Sequence, residues 1–115
     1  MFNFEKLEVW QKAIVFAGLI YRLTASFPPE ERFGLTNQVR RAAVSISSNI
    51  AEGSARPPAD YARFVGYASG SLSELVTQAA IARNQGFLPA KDFEQIYRDA
   101  EEISRMLSGL RKSLE

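Results

Sequence analysis

Apolar residues recur along this chain at steps of three and four, the spacing that places them on one face of an α-helix. Runs that contain proline or glycine separate four such segments, and these residues end helices. The pattern predicts helices over residues 5–26, 35–54, 59–84 and 89–114. No segment alternates apolar and polar residues as a strand does. The sequence therefore predicts one all-α domain over residues 1–115, an up-down-up-down antiparallel four-helix bundle.

The first predicted helix carries two apolar stripes, where one buried face would need only one. One stripe comprises Val9, Ala13, Phe16, Ile20 and Leu23. The second stripe comprises Leu7, Trp10, Ile14, Ala17 and Tyr21. The excess of apolar surface indicates an interface that another polypeptide covers.

The run SISSNIAEGSA, from Ser45 to Ala55, continues the second helix although small polar residues dominate it. At 100° per residue, an outer stripe lies away from the core positions and comprises Arg41, Ser45, Ser48 and Glu52, with Asn49 between this stripe and the core. The third helix offers a face of small residues, comprising Gly66, Gly70, Ser73 and Thr77. Small side chains let helices approach closely, so we interpret the run as an interface.

Four charged residues on these two helices are spaced alike. Arg41 and Glu52 are eleven residues apart, about 16 Å along a helix axis, as are Arg63 and Glu74. In an antiparallel pair Arg41 falls level with Glu74, and Glu52 with Arg63. We predict two ion pairs, within a protomer or across a subunit boundary. The alternative is that all four are solvated surface charges, since exposed pairs contribute little.

The composition excludes much catalytic chemistry. The chain has no histidine and no cysteine, which removes Ser-His-Asp catalysis, the usual zinc sites and the Glu-x-x-His di-iron arrangement. Glu52 and Glu74 are weak candidates for metal ligands or an acid/base pair without histidine. We therefore predict no enzymatic activity, no catalytic residues, no metal and no cofactor.

The charge gives little support to nucleic-acid binding, because the net charge is only +1. A local basic strip is nevertheless an alternative, and its candidate residues for RNA or DNA contacts are Arg40, Arg41, Arg56, Arg63 and Arg83. The longest apolar stretch, AIVFAGLIY, is too short to span a bilayer, and no signal peptide is apparent. These features predict a cytoplasmic protein with no membrane partner.

Three stretches carry a resemblance to a known family: LEVWQKA, FPPEERFGLTNQVRRAAVSISSNIAEGSAR and GSLSELVTQAAIARNQGFL. Together they resemble the four-helix bundle proteins first associated with intervening sequences of 23S ribosomal RNA genes. The resemblance covers roughly residues 4–88. It implies a bundle that assembles as a ring, most often a homopentamer, without established enzymatic activity. The matching motif residues are Gln38, Arg40, Arg41, Ser45, Asn49, Ile50, Glu52, Gly53, Gly70, Ser71, Leu72, Glu74 and Leu75.

Two functions follow as expectations. The first is a non-enzymatic oligomeric scaffold that associates with itself and receives a protein partner. The second is an RNA- or DNA-binding accessory protein, in which a ring repeats weak contacts so that they add by multivalency. The resemblance extends to the accessory protein of diversity-generating retroelements, a basic pentameric barrel thought to engage nucleic acid, whereas this chain is nearly neutral.

Overall fold

A computed structural model describes all residues, 1–115, and shows four α-helices and no strand. The helices are α1 (Glu8–Thr24), α2 (Leu35–Ser54), α3 (Pro58–Asn84) and α4 (Ala90–Ser113). α1 packs on α2 and α4, and α3 packs on the same two helices from the other side. The molecule is elongated, with principal extents of 43 × 22 × 21 Å. The α1/α2 face and the α3/α4 face are therefore opposite sides of the bundle.

The first helix is shorter than residues 5–26, the range predicted from the sequence. Residues Asn3–Lys6 form a separate 3-10 turn, and Leu7 is extended with φ −75° and ψ 123°. At the other end, the amide of Ala25 donates to the carbonyl of Arg22, which tightens the last turn. The apolar periodicity runs on through Leu7, so the pattern alone gives no sign of this break.

The ends of the other helices follow the turn chemistry of the sequence. Pro58 opens α3, where its missing amide hydrogen costs no intrahelical bond. Gly86 ends the α3 segment with φ +81°, a left-handed conformation that glycine adopts without steric cost. The amide of Phe87 then donates to the carbonyl of Ala82 at 2.9 Å, which closes the turn towards α4.

The core is a single cluster of buried apolar side chains from all four helices. Of the two apolar stripes of α1, the structure buries the one with Val9, Ala13, Phe16 and Ile20, and its fifth member, Leu23, is half-buried. The buried residues of α4 lie at steps of three and four along the helix: Ile96, Ala100, Ile103 and Leu107. Outside the core, Lys12 Nζ lies 3.0 Å from Glu102 Oε1 and links α1 to α4. The hydrogen bond and negative charge of Glu102 raise the pKa of Lys12 above its ordinary value.

α2 and α3 run antiparallel, because residue numbers fall on one helix as they rise on the other at successive contacts. Ser45 meets Ser71 with their hydroxyl oxygens 2.9 Å apart, and Gln38 meets Gln78. Near the connection, Gly53 lies against Phe64. This register places Arg41 level with Glu74 to within one residue, as the sequence predicts.

Candidate interaction surfaces

A small polar cluster joins the two central helices at the signature run. The hydroxyls of Ser45 and Ser71 share a hydrogen bond of 2.9 Å. The side-chain amide of Asn49 donates to the carbonyl of Ser45 at 2.8 Å and to its hydroxyl at 3.0 Å. All three side chains are half-buried. Ser45 thus links α2 to α3 within the protomer, and Asn49 supports Ser45 from the same helix.

The small-residue face of α3 does not meet this cluster. Gly66 instead lies beside Arg111 of α4, whose nearest guanidinium nitrogen would be 3.4 Å from an added Cβ atom. The space next to Gly70 is open. The residues of α3 that contact α2 are instead Ser71 and Gln78, and neither belongs to the small-residue face. The predicted match between the two small-residue faces is therefore wrong within the protomer.

Neither predicted cross-helix ion pair forms within the protomer. Glu52 pairs with Arg56, one turn further on, at 3.3 Å. Arg63 pairs with Asp60, one turn earlier, at 2.9 Å. Arg41 has no ion pair. The version of these pairs within one protomer is wrong, because Glu52 and Arg63 have partners only four and three residues away: Arg56 in the connection and Asp60 on α3. Pairing across a subunit boundary stays a prediction.

Glu74 takes part in a different contact. Its Oε1 accepts from the side-chain amide of Gln78 at 3.3 Å, and the same amide nitrogen lies 3.5 Å from Gln38 Oε1. Gln78 is 7% exposed, and its own Oε1 is buried without any hydrogen-bond donor. Sequence patterns gave no sign of this buried amide, because Gln78 sits one position before the apolar stripe of α3.

The five arginines considered for nucleic-acid contacts do not form a strip of free cations. Arg56 and Arg63 are paired with acidic side chains, and both also lie over the ring of Phe64. Arg83 lies over the ring of Phe93, 5.2 Å from its centroid. Arg40 is bound to the end of α1. Of the five, only Arg41 is left without any of these contacts.

Arg40 fastens the last turn of α1 to α2. Its Nε donates to the Thr24 hydroxyl at 2.9 Å, and one Nη donates to the carbonyl of Tyr21 at 3.3 Å. The guanidinium also lies 4.7 Å from the centroid of the Tyr21 ring. A cation at the carboxyl end of a helix complements the helix dipole. This residue is therefore a structural link in the protomer.

Replacing Arg40 by methionine is expected to lower the free energy of unfolding by about 1 kcal/mol, because a charge-assisted hydrogen bond and a helix-end cation are lost together. Urea unfolding followed by circular dichroism at fixed protein concentration measures the change. Arg98→Met, at an exposed position of α4 without an ion pair, is the matched control and should shift the stability by less than about 0.5 kcal/mol. Equal stability of the two variants would contradict the assigned role.

The second apolar stripe of α1 is only partly buried, along its border with α2. Ile14 and Tyr21 are each 45% exposed, and Trp10 is half-buried. Val44 on α2 is 44% exposed and lies one turn after Arg40, on the side that faces Tyr21. We call these four apolar residues the α1/α2 patch: Trp10, Ile14, Tyr21 and Val44. Val44 was missed from the sequence because its exposure depends on how α1 packs against α2.

The opposite side of the bundle carries a shallow cleft between α3 and α4, of about 280 Å³. Its apolar walls include Leu72, Val76 and Ala100, and Tyr97 stands at its edge, 47% exposed. The hydroxyl-bearing residues Ser73 and Ser104 and the carboxylate of Glu101 complete the lining. We call this the α3/α4 cleft.

No three acidic side chains converge in a geometry that would hold a metal ion. None of the four helices combines the length and the apolar character that a membrane crossing requires.

Comparisons with known proteins agree with this architecture. The model of the family described as 23S rRNA-intervening sequence protein matches residues 5–109. A crystal structure at 1.70 Å of a protein with unknown function, from the S23 ribosomal protein family of Bacteroides thetaiotaomicron VPI-5482, superposes with a TM-score of 0.80 and is 23% identical in sequence, covering 90% of this chain and 98% of that chain. No curated protein matches the chain significantly. The four-helix fold and the match over nearly its whole length show that this chain belongs to the 23S rRNA-intervening sequence protein family.

Proposed function

We propose that the protein is a non-enzymatic scaffold, an up-down-up-down bundle that assembles with copies of itself into a ring. The observation that carries the proposal is the α1/α2 patch, four apolar side chains on neighbouring helices that the protomer leaves exposed or only half-buried. A helix with apolar residues on two sides must bury both to avoid exposing the second to water. Association supplies the cover that the protomer lacks.

The position of the second apolar surface supports a ring over a closed dimer. The α3/α4 cleft lies on the side of the bundle opposite the α1/α2 patch. When one copy places its patch on the cleft of the next, the pair keeps one free patch and one free cleft. Such head-to-tail contacts close into a ring when the rotation between copies allows it. Five copies, a homopentamer, is the number that the family resemblance implies.

Disruption of the α1/α2 patch is expected to separate the copies. Ile14→Lys places a charge in the middle of an apolar contact, and loss of a central anchor weakens such interfaces by about 30-fold or more. Light scattering coupled to size-exclusion chromatography should give a whole multiple of 12.8 kDa for the native chain, five-fold for the homopentamer, and 12.8 kDa for the variant.

Val15→Lys is the matched control for this experiment. Val15 is 71% exposed and adjacent in sequence, but it borders α4 beside Glu102 and Asp99 and lies outside the patch. Assembly should survive in this variant. A native chain that is monomeric at micromolar concentration would refute the scaffold proposal. Loss of assembly in Val15→Lys but not in Ile14→Lys would show that the interface lies on the side of α1 that borders α4, outside the α1/α2 patch.

The nucleic-acid alternative is less well supported by the arrangement of charges. Most of its candidate arginines are engaged within the protomer, and the net charge is +1. Binding to structured RNA that weakens steeply with added salt would favour it. Cytoplasmic location and a further protein partner stay predictions.

A further inference from the structure

The end of the bundle formed by the connection between α1 and α2 carries an apolar feature apart from the two side surfaces. Phe33 is 85% exposed, although phenylalanine is among the residues most often buried. Beside it opens a cleft of about 350 Å³, bounded by the connection, the start of α2 and the end of α3. Its apolar walls are Leu35, Ile81 and Phe87, and its polar lining comprises Glu31, Gln38 and Gln85. We call this the end cleft.

The connection presents Phe33 in one defined position. Pro28 and Pro29 restrict the backbone before it, and the amide of Gly34 donates to the carbonyl of Glu31 at 3.0 Å. The Glu31 carboxylate also accepts from the amide of Leu35 at 3.1 Å, which ties the connection to the first turn of α2. Because this backbone is already fixed, burial of Phe33 by a partner has to order only its side chain, which favours its use as an anchor.

The end cleft is large enough for a phenylalanine ring. An enclosed apolar cavity of about 150 Å³ binds benzene in a protein interior; the end cleft is open to solvent and offers about 350 Å³. Its wall residue Ile81 is 48% exposed, so burial by a ring would also remove apolar surface of this chain from water. Phe33 and the end cleft are neighbours, since Gly34 lines the cleft directly after Phe33. One end of the molecule thus offers both an exposed aromatic ring and a cleft that can receive the ring of another chain.

The charges around Phe33 have both signs. Glu30 and Arg32 flank the ring, and neither forms an ion pair within the protomer. The Arg32 guanidinium lies 5.4 Å from the centroid of the Phe33 ring. A second copy turned by 180° would bring its Arg32 towards this Glu30 and the reverse. This surface therefore carries an exposed ring, a cleft and unpaired charges of both signs. It is complementary to a second copy of itself, which is the requirement for a two-fold contact.

We propose that two copies of the chain meet at this end about a two-fold axis, each inserting Phe33 into the end cleft of the other. The contact is small for one pair of chains. In a ring it would repeat once for each copy, so that two rings stack through several weak contacts that add. The contact uses a different surface from the scaffold assembly, and the two associations can fail separately.

Sedimentation velocity of the full chain with Phe33→Ala and, separately, Ile81→Glu tests the contact. The native chain should show a species of twice the mass of the assembly formed through the α1/α2 patch, which we call the side-face assembly. Each variant should raise the dissociation constant of this doubling by about 30-fold or more, while the side-face assembly persists. Phe2→Ala, 69% exposed at the other end of the bundle, is the control and should leave the doubling unchanged. Both test positions are exposed, and circular dichroism verifies that the variants fold.

Mixing the two variants gives the sharpest result. A mixed pair keeps one intact contact, the Phe33 of the Ile81→Glu chain in the unchanged cleft of the Phe33→Ala chain. Equimolar mixing should therefore restore part of the doubling that neither variant shows alone. Absence of a doubled native species, doubling that survives both variants, failure of the mixture to recover, or occupation of Phe33 by a different protein would each overturn the proposal. Ile14→Lys separately reports on the side-face assembly.

Discussion

Gly53→Ala is expected to destabilise the protein by about 1–3 kcal/mol, the range for inserting atoms into a closely packed contact. A Cβ atom at this position would stand 2.7 Å from Phe64 Cβ and 3.1 Å from Tyr61 Cδ1. Phe64 Cβ is fixed to the α3 backbone, so no rotation of the side chain relieves the overlap. α2 and α3 would have to separate beside the connection that joins them, where α3 begins at Pro58.

The sign of this effect distinguishes packing from helix propensity. Within a helix, alanine is intrinsically favoured over glycine by about 1 kcal/mol, so propensity alone predicts a gain. Gly109→Ala is the matched control: Gly109 is exposed in α4, and no atom lies within 4 Å of an added Cβ. This variant should be more stable by about 0.5–1 kcal/mol. Urea unfolding at one protein concentration, so that assembly contributes equally, measures both, and a stabilised Gly53→Ala variant would contradict the close approach of the helices.

Local rules of helix termination account for what could be predicted of the fold. Prolines and glycines at the ends of apolar periodicity placed α2, α3 and α4 within one residue of their observed limits. The helical spacing of residues also predicted that α2 continues from Ser45 to Ser54, although the composition of this run resembles that of a loop. The break at Leu7 was missed because a single extended residue leaves the spacing of apolar side chains unchanged.

The candidate site could be predicted less well, because contacts between helices depend on the direction of each side chain. The register of Arg41 against Glu74 follows from the length of the connection and is correct. Their ion pair does not form within the protomer, and Glu74 contacts Gln78 on its own helix. The second apolar stripe of α1 was visible in the sequence, whereas its extension to Val44 required the packing of α1 on α2.

Gln78 is the least expected residue of the α2/α3 contact. Its hydrogen bonds indicate how much its burial lowers the free energy of unfolding. Its Oε1 is buried with no donor, and such an atom costs about 1–3 kcal/mol. Exchanging the oxygen and nitrogen of the amide gives no relief. The oxygen would then lie beside Glu74 Oε1, where the nitrogen now donates at 3.3 Å, and the amide nitrogen would be the buried group without a partner.

Gln78→Leu should therefore stabilise the protomer by about 1–2 kcal/mol, since it removes the unpaired oxygen and keeps a side chain of similar size. Gln38 and Glu74, the two partners that lose a donor, are exposed and can bind water instead. Gln78→Ala is the control: it also removes the oxygen but leaves a void, which should make it about 2 kcal/mol less stable than the leucine variant. Urea unfolding at constant protein concentration ranks the three chains. A leucine variant less stable than the native chain would mean that the polar contacts among Gln38, Glu74 and Gln78 stabilise the α2/α3 pair by more than the unpaired oxygen costs.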